Sequence, residues 1–225
     1  MAQSCLLYYI TDRTQFPGDE RARRRALLDK IAEAAHAGVD YIQLREKDLS
    51  ARELEHLAGD ATDLILRLRI ENSELRTRLL INSRTDVALA TGADGVHLRS
   101  DDIPVSTARS MWREVMGRDS RLATREFLIG VSCHTAADVV RAESEGADFV
   151  VFGPVFEKKD AREIQIGGIP GLREACASRI PVFALGGVTL ENAASCLAAG
   201  AAGVAGIRLF QENKIEDVVR ALRAL

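Results

Sequence analysis

The chain has 225 residues, enough for one substantial core, and a single α/β barrel of this length is ordinary, so its size calls for no second domain. A net charge of -3 and a pI near 5.9 give no overall attraction to nucleic acid or to an anionic membrane surface. No apolar run approaches the roughly 20 residues of a membrane span, and no charged-then-apolar leader opens the chain, so a cytoplasmic location is expected.

Leu6-Leu7-Tyr8-Tyr9-Ile10 reads as strand one, ending at the polar Thr11-Asp12-Arg13. Glu20 to Ala37 has helical apolar spacing and stops at Gly38, and strand two, Asp40 to Leu44, follows at once. Ser50 with Glu53 three residues on is a capping box opening a helix through Leu54, Leu57, Ala61 and Ile65. Residues 67–78 look too charged for core and read as a helix tail with a solvated connection. Strand three is Leu79-Leu80-Ile81, then Asn82-Ser83-Arg84, a short helix from Thr85, and strand four, Gly95 to Leu98. A polar loop, Arg99 to Pro104, precedes a helix carrying Met111 and Trp112, and 118–125 is a charged connection. Strand five is Phe127 to Val131, followed by Ser132-Cys133-His134-Thr135 and a helix over 136–145. Strand six is Phe149 to Phe152, then a long polar loop over 157–168 and a helix from Pro170 to Ser178. Strand seven, Pro181 to Leu185, runs into Gly186-Gly187. Thr189 is expected to cap the next helix, and Gly203 to Ile207 is strand eight, followed by a brief turn and a last helix over 215–225. Cys5, Cys133, Cys176 and Cys196 lack paired CxxC spacing and read as buried or incidental thiols.

A repeat underlies this order. Gly38-Val39-Asp40, Gly92-Ala93-Asp94, Gly146-Ala147-Asp148 and Gly200-Ala201-Ala202 each lead into an apolar run, and the glycines stand 54 residues apart each time. Short apolar strands with little alternation imply burial on both faces, and strand-helix alternation implies parallel pairing through right-handed crossovers. A period holding two such units predicts a single-domain α/β (β/α)8 TIM barrel over 1–225, with its site at the C-terminal strand ends. A doubly wound sheet would show a glycine-rich first turn, and Gly-x-Gly-x-x-Gly is absent after strand one.

The polar strand ends then converge on one mouth: Gln43, Arg45 and Lys47; Asn82, Ser83 and Arg84; Asp101 and Asp102; Ser132 and His134; Lys158 and Lys159; Gly186 and Gly187; and Arg208. Such a set suits a phosphorylated ligand with a divalent cation, since phosphate requires cations, N–H groups or a metal. Several members have plainer readings. Arg45-Glu46-Lys47 can be an exposed salt-bridged rim, Asp101 or Asp102 a helix cap, His134 either an acid or base or a cap, and His97 a packed core histidine. Gly186-Gly187 falls after strand seven, where this barrel class holds phosphate.

YYITDR at 8–13, YIQLREK at 41–47, INSRTDVALATGADGVHL at 81–98, GVSCHT at 130–135, ADFVVFGPVF at 147–156, PVFALGGVT at 181–189 and AGAAGVAGI at 199–207 together resemble the thiamine phosphate synthase and TenI family. The resemblance runs in order over nearly the whole chain. It implies a transferase of thiamine biosynthesis that joins a hydroxymethylpyrimidine diphosphate to a thiazole phosphate and releases pyrophosphate. In that setting Gln43, Arg45 and Lys47 would hold the pyrimidine diphosphate with Asn82 and Lys158, while Gly186, Gly187, Ile207 and Arg208 would hold the thiazole phosphate. Ser132, His134 and Lys159 are the catalytic candidates, and Mg2+ would sit on Asp102 and Ser83. The implied partners are these small phosphorylated molecules, with a homo-oligomer possible.

Four departures from the family pattern cluster on the metal and phosphate side. Asn82-Ser83-Arg84 stands for Asn-Asp-Arg, replacing one expected Mg2+ carboxylate by a hydroxyl; Arg99-Ser100 stands for Gly-Gln. Glu157-Lys158-Lys159-Asp160 stands for a Thr-x-Thr-Lys loop, and Arg208 replaces a phosphate-binding serine. The alternatives are a TenI-like thiazole tautomerase, with His134 as the proton-transfer group and Glu46 second, or a member that binds phosphate ligands without turnover.

Overall fold

A computed structural model describes residues 5–116, 126–156 and 167–225. β1 (Leu6–Ile10), β2 (Tyr41–Leu44), β3 (Arg78–Asn82), β4 (Gly95–Leu98), β5 (Leu128–Cys133), β6 (Phe149–Phe152), β7 (Val182–Ala184) and β8 (Gly203–Gly206) form a closed barrel in chain order. Each strand pairs in parallel with the next, and β8 closes on β1 with Leu7 opposite Val204. The interleaved helices are α1 (Glu20–Ala37), α2 (Ala51–Glu71), α3 (Thr85–Thr91), α4 (Val105–Met116), α5 (Ala136–Ser144), α6 (Gly168–Ala175) and α7 (Ala193–Ala198), followed by the single turn α8 (Arg208–Gln211) and α9 (Ile215–Arg223). The (β/α)8 barrel expected from the alternation is the fold observed.

The 54-residue period has a backbone cause. Gly38, Gly92, Gly146 and Gly200 all adopt positive φ, at 86°, 68°, 85° and 105°, where the chain leaves α1, α3, α5 and α7 for the even-numbered strands. A left-handed residue ends these helices, and glycine enters that region without a Cβ penalty.

Two residues beyond the first three glycines stands an aspartate whose carboxylate accepts a strand N–H at the N-terminal end of the barrel. Leu7 donates to Asp40 at 2.7 Å, Leu79 to Asp94 at 2.8 Å and Ile129 to Asp148 at 2.7 Å. Each carboxylate is clamped by an arginine from elsewhere: Arg223 on Asp40 at 2.8 Å, Arg69 on Asp94 at 2.6 Å and Arg109 on Asp148 at 2.8 Å. Arg69 also donates to the carbonyl of Thr77, and Arg109 to that of Phe127, so the same guanidinium satisfies two acceptors. Burial raises the Asp94 pKa, but the hydrogen bonds and charge of Arg69 outweigh it and hold the carboxyl below its usual range. The fourth repeat has Ala202 here and no carboxylate.

Two cores follow from the strand period of two. Outward-facing residues such as Leu7, Ile42, Ile81, Val96, Ile129 and Val150 pack under the helices. Inward-facing Tyr8, Leu80, Phe149, Phe183 and Ala205 fill the barrel, with Tyr8 edge-on to Phe149 at a centroid distance of 5.5 Å. Gly130 makes this plug possible, because a Cβ there would lie 2.5 Å from the Phe149 ring and 2.9 Å from His97 Nδ1. One step further along each strand the inward residues turn polar, and that layer is the floor of the mouth.

Some expected local features take a different form. The 67–78 stretch is less solvated than its charge suggests: α2 continues to Glu71, Leu68 is buried and Arg69 reaches back to Asp94. The Ser50 capping box on α2 is formed, with Glu53 returning a bond to the Ser50 N–H. Thr189 does not cap α7, which begins at Ala193; a turn intervenes in which Thr189 N–H donates to Asn192 Oδ1. Neither Asp101 nor Asp102 caps α4, whose first-turn N–H of Ala108 is received by the carbonyl of Pro104. The helix expected from Pro170 begins at Gly168 and ends at Ala175. The 118–125 connection lies outside the described residues.

Candidate active site

Two adjoining cavities open at the C-terminal strand ends and share Leu185 and Gly186. The first, of about 450 Å³, is lined by Gln43, Arg45 and Lys47 from β2 and its exit, Asn82, His97, Arg99 and Asp101 from the third and fourth strands, and Ser132 and His134 from the fifth. The second, of about 640 Å³, is lined by Gly186 and Gly187 after β7 and by Ile207 and Arg208 after β8. The sequence-derived residues thus meet at one end of the barrel. Lys158 and Lys159 lie outside the described residues.

Alternation sorts the charged run after β2. Arg45 and Lys47 face the cavity, while Glu46 between them points away from it into a buried polar cluster: it accepts from Thr11 Oγ1 at 2.6 Å, Arg13 N–H at 2.9 Å and the Arg13 guanidinium at 3.2 Å. Arg13 also pairs with Asp48 at 2.6 Å. The run is therefore not an exposed salt-bridged rim: Glu46 is buried and bonded to Thr11 and Arg13, with burial raising its carboxyl pKa. Burial lowers the pKa of Arg45, only partly offset by Asp12 and Glu46.

The floor is a hydrogen-bonded row. Gln43 donates from Nε2 to Asn82 Oδ1 at 3.2 Å, and Asn82 in turn donates to Ser83 Oγ at 3.2 Å. His97 is buried, as expected of a core histidine, yet it also lines the cavity and sits between Tyr8 Oη at 3.1 Å from Nδ1 and Ser132 Oγ at 2.9 Å from Nε2. Burial drives its pKa down to about 3, so the ring is neutral at physiological pH. The buried Tyr8 hydroxyl, whose own pKa burial raises well above normal, has Nδ1 as its acceptor. Nε2 then carries the hydrogen and donates to Ser132, leaving the serine O–H free to donate into the cavity. Sequence reading missed this relay; the available signal was that His97 shares inward phase with Gly95 in β4.

His134 stands at the rim with Nδ1 at 2.6 Å from the Gly153 carbonyl. A carbonyl only accepts, so Nδ1 bears a hydrogen and donates it, and Nε2 is the ring nitrogen that this bond leaves over. The side-chain cap of α5 is Thr135 with Asp138, not His134. Gly186 has φ 98°, and a Cβ there would lie 2.7 Å from Pro154 Cα, so only glycine fits the turn joining the two cavities.

The expected metal pair is arranged differently. The Asp102 carboxylate accepts the Arg99 N–H at 2.7 Å and lies 3.4 Å from the Arg99 guanidinium, whose Nε is also 3.4 Å from Asp101. Ser83 adopts φ 60°, and its hydroxyl serves Asn82. Neither Asp102 nor Ser83 is among the residues that line the cavity. Among the described residues no three His, Cys, Asp or Glu side chains come together as a metal set.

A closed barrel with a cationic cavity beside a glycine-lined second cavity defines a phosphate-handling (β/α)8 enzyme site. The chain matches the family described as thiamine monophosphate synthase over residues 7–210. It is 41% identical over 224 residues to a putative thiamine-phosphate synthase of Geobacter sulfurreducens, covering 97% of this chain and 93% of that protein. To a thiamine-phosphate synthase of Methanospirillum hungatei it is 39% identical over 207 residues, covering 90% and 88% respectively. A solved thiamine phosphate pyrophosphorylase from Pyrococcus furiosus superposes with TM-score 0.74 at 29% identity, covering 99% of this chain and 95% of that one. The chain belongs to the thiamine monophosphate synthase family.

Proposed function

We propose that this chain is a thiamine-phosphate synthase: it joins a hydroxymethylpyrimidine diphosphate to a thiazole phosphate and releases pyrophosphate, in the cytoplasm. The observation that carries the reading is the pair of adjoining cavities, one cationic and one closed by Gly186-Gly187, because two phosphorylated substrates must lie side by side for their rings to react. Arg45 and Lys47 receive the diphosphate, Gln43, Asn82 and Ser132 offer hydrogen bonds to the pyrimidine end, and Arg208 with the backbone at Gly187 and Ile207 receives the thiazole phosphate. Lys158 is proposed as a further substrate-binding residue and Lys159 as a catalytic one.

The carbon–oxygen bond to the diphosphate breaks with its electron pair on the leaving oxygen, and the thiazole nitrogen lone pair forms the new carbon–nitrogen bond. Fixed cations stabilise the charge that develops on the departing pyrophosphate. No protein nucleophile is required, so the neutral His97 fits a holding role toward Ser132. Mg2+ on Asp102 and Ser83 fits this donor set poorly: the ion is ordinarily held by one or two protein carboxylates beside phosphate oxygens and water, Ser83 offers only a neutral hydroxyl already bonded to Asn82, and the one carboxylate, Asp102, already has Arg99. No step above uses the ion.

Supplying both substrates to the protein tests the reaction. Pyrophosphate and coupled product appearing in equal amounts support it; none at saturating substrates rejects it. The position of His134 at the cavity rim, held through Nδ1, favours one second reading, a thiazole tautomerase, which predicts proton exchange on the thiazole phosphate without any pyrimidine.

A further inference from the structure

We propose that the Arg99 guanidinium supplies the diphosphate with the positive charge that a divalent cation would otherwise bring, so that this site binds its diphosphate substrate without a bound metal. The inference deepens the synthase reading and rests on it.

Arg99 lies at the exit of β4, where its backbone and side chain are fixed by Asp102. Its N–H donates to one carboxylate oxygen at 2.7 Å, and its guanidinium lies 3.4 Å from the other. Asp101 Oδ1 lies 3.4 Å from Nε of the same guanidinium. Asp102, where the resemblance implied a metal, therefore faces an organic cation, and Asp101 faces the same one. The Asp102 side chain is 12% exposed and Arg99 55% exposed, so the acid is the buried anchor and the guanidinium the accessible end. Arg99 lines the cavity together with Arg45 and Lys47.

Charge balance agrees. Ser83 removes one negative charge from the expected pattern and Arg99 adds one positive charge, and the sum equals the charge of a divalent cation. A guanidinium offers several N–H donors in a planar fork suited to phosphate oxygens, and contacts of 3.4 Å to its acids leave donors able to turn toward a ligand. A metal added beside Arg99 would meet carboxylates that already share a guanidinium and a fixed positive neighbour, which disfavours its binding.

Calorimetric titration with inorganic pyrophosphate, and separately with hydroxymethylpyrimidine diphosphate, in EDTA and in Mg2+, decides the matter. The wild-type protein is expected to bind both in EDTA with affinity within about 3-fold of that in Mg2+. Arg99→Gly is expected to weaken binding in EDTA by about 30-fold, the size of a lost hydrogen-bonded contact to a charged group, and Arg99→Lys to recover part of it. Unchanged titration of inorganic phosphate at the Gly187 cavity shows that each variant is folded. Binding by wild type only in Mg2+, or equal binding in EDTA by wild type and Arg99→Gly, overturns the proposal while the synthase reading stands. No binding of either diphosphate under any condition overturns both.

Discussion

The two ends of the barrel use their charged side chains differently. At the N-terminal end Asp40, Asp94 and Asp148 each meet an arginine and a strand N–H, so their charge is committed to the fold. At the C-terminal end Arg45, Lys47 and Arg99 face a cavity, and the acid among them that is fully buried, Glu46, is turned away toward Arg13. The same repeat frame thus carries ion pairs buried in the fold below and cavity-facing cations above. The lesson is that charge closed upon itself stabilises, whereas charge aimed at a cavity acts on a ligand.

Single substitutions at the two ends should separate these roles. Arg45→Ala is expected to lower kcat/KM by about 100- to 1000-fold through lost stabilisation of the leaving group, with the thermal midpoint hardly moved; steady-state kinetics beside a melting curve checks both. Asp94→Ala should do the reverse. Stranding Arg69 beside the Thr77 carbonyl with no carboxylate should cost about 3–5 kcal/mol in urea unfolding, with KM unchanged in the folded fraction.

Asp94 also sets a pH dependence. Its folded pKa is lowered, so its stabilisation is present above the ordinary carboxylate pKa and fades as pH falls through the lower folded value. Asp94→Ala should flatten that acid limb.

These two ends were not equally legible in the sequence. The glycine period was visible because a helix-to-strand turn imposes a local backbone requirement, and Gly38, Gly92, Gly146 and Gly200 meet it alike. The arginine clamps were not, because Arg69 is 25 residues from Asp94 and Arg223 is 183 from Asp40, and no local pattern links them. At the mouth, Gln43, Arg45, Asn82, Ser132 and Gly186 were placed by their position at strand ends, while Arg99 drew notice as a departure and its grip on Asp102 needed coordinates. The burial of Glu46 was not legible because a charged run gives no sign that its middle residue is packed against Thr11 and Arg13.

Smaller effects sharpen the contrast within the mouth. Gly186→Ala, forcing a Cβ against Pro154 at positive φ, should lose about 1–3 kcal/mol and weaken thiazole phosphate binding, read by titration calorimetry. His97 has a folded pKa near 3 against an ordinary 6.5, so the native state loses stability as pH falls from the higher value toward the lower. His97→Gln should remove that slope in urea midpoints measured across the range. His134→Ala should change synthase turnover by less than about 10-fold, since no step of the transfer needs its Nε2 as a base; a larger fall would favour the tautomerase reading.

The most direct measurement is a crystal structure of the protein with pyrophosphate and the thiazole phosphate bound together. The account places pyrophosphate within hydrogen-bonding reach of Arg45, Lys47 and Arg99, and the thiazole phosphate against Gly187 and Arg208 in the adjoining cavity. Density for either phosphate group at the N-terminal end of the barrel, or both crowded into one cavity, would contradict it.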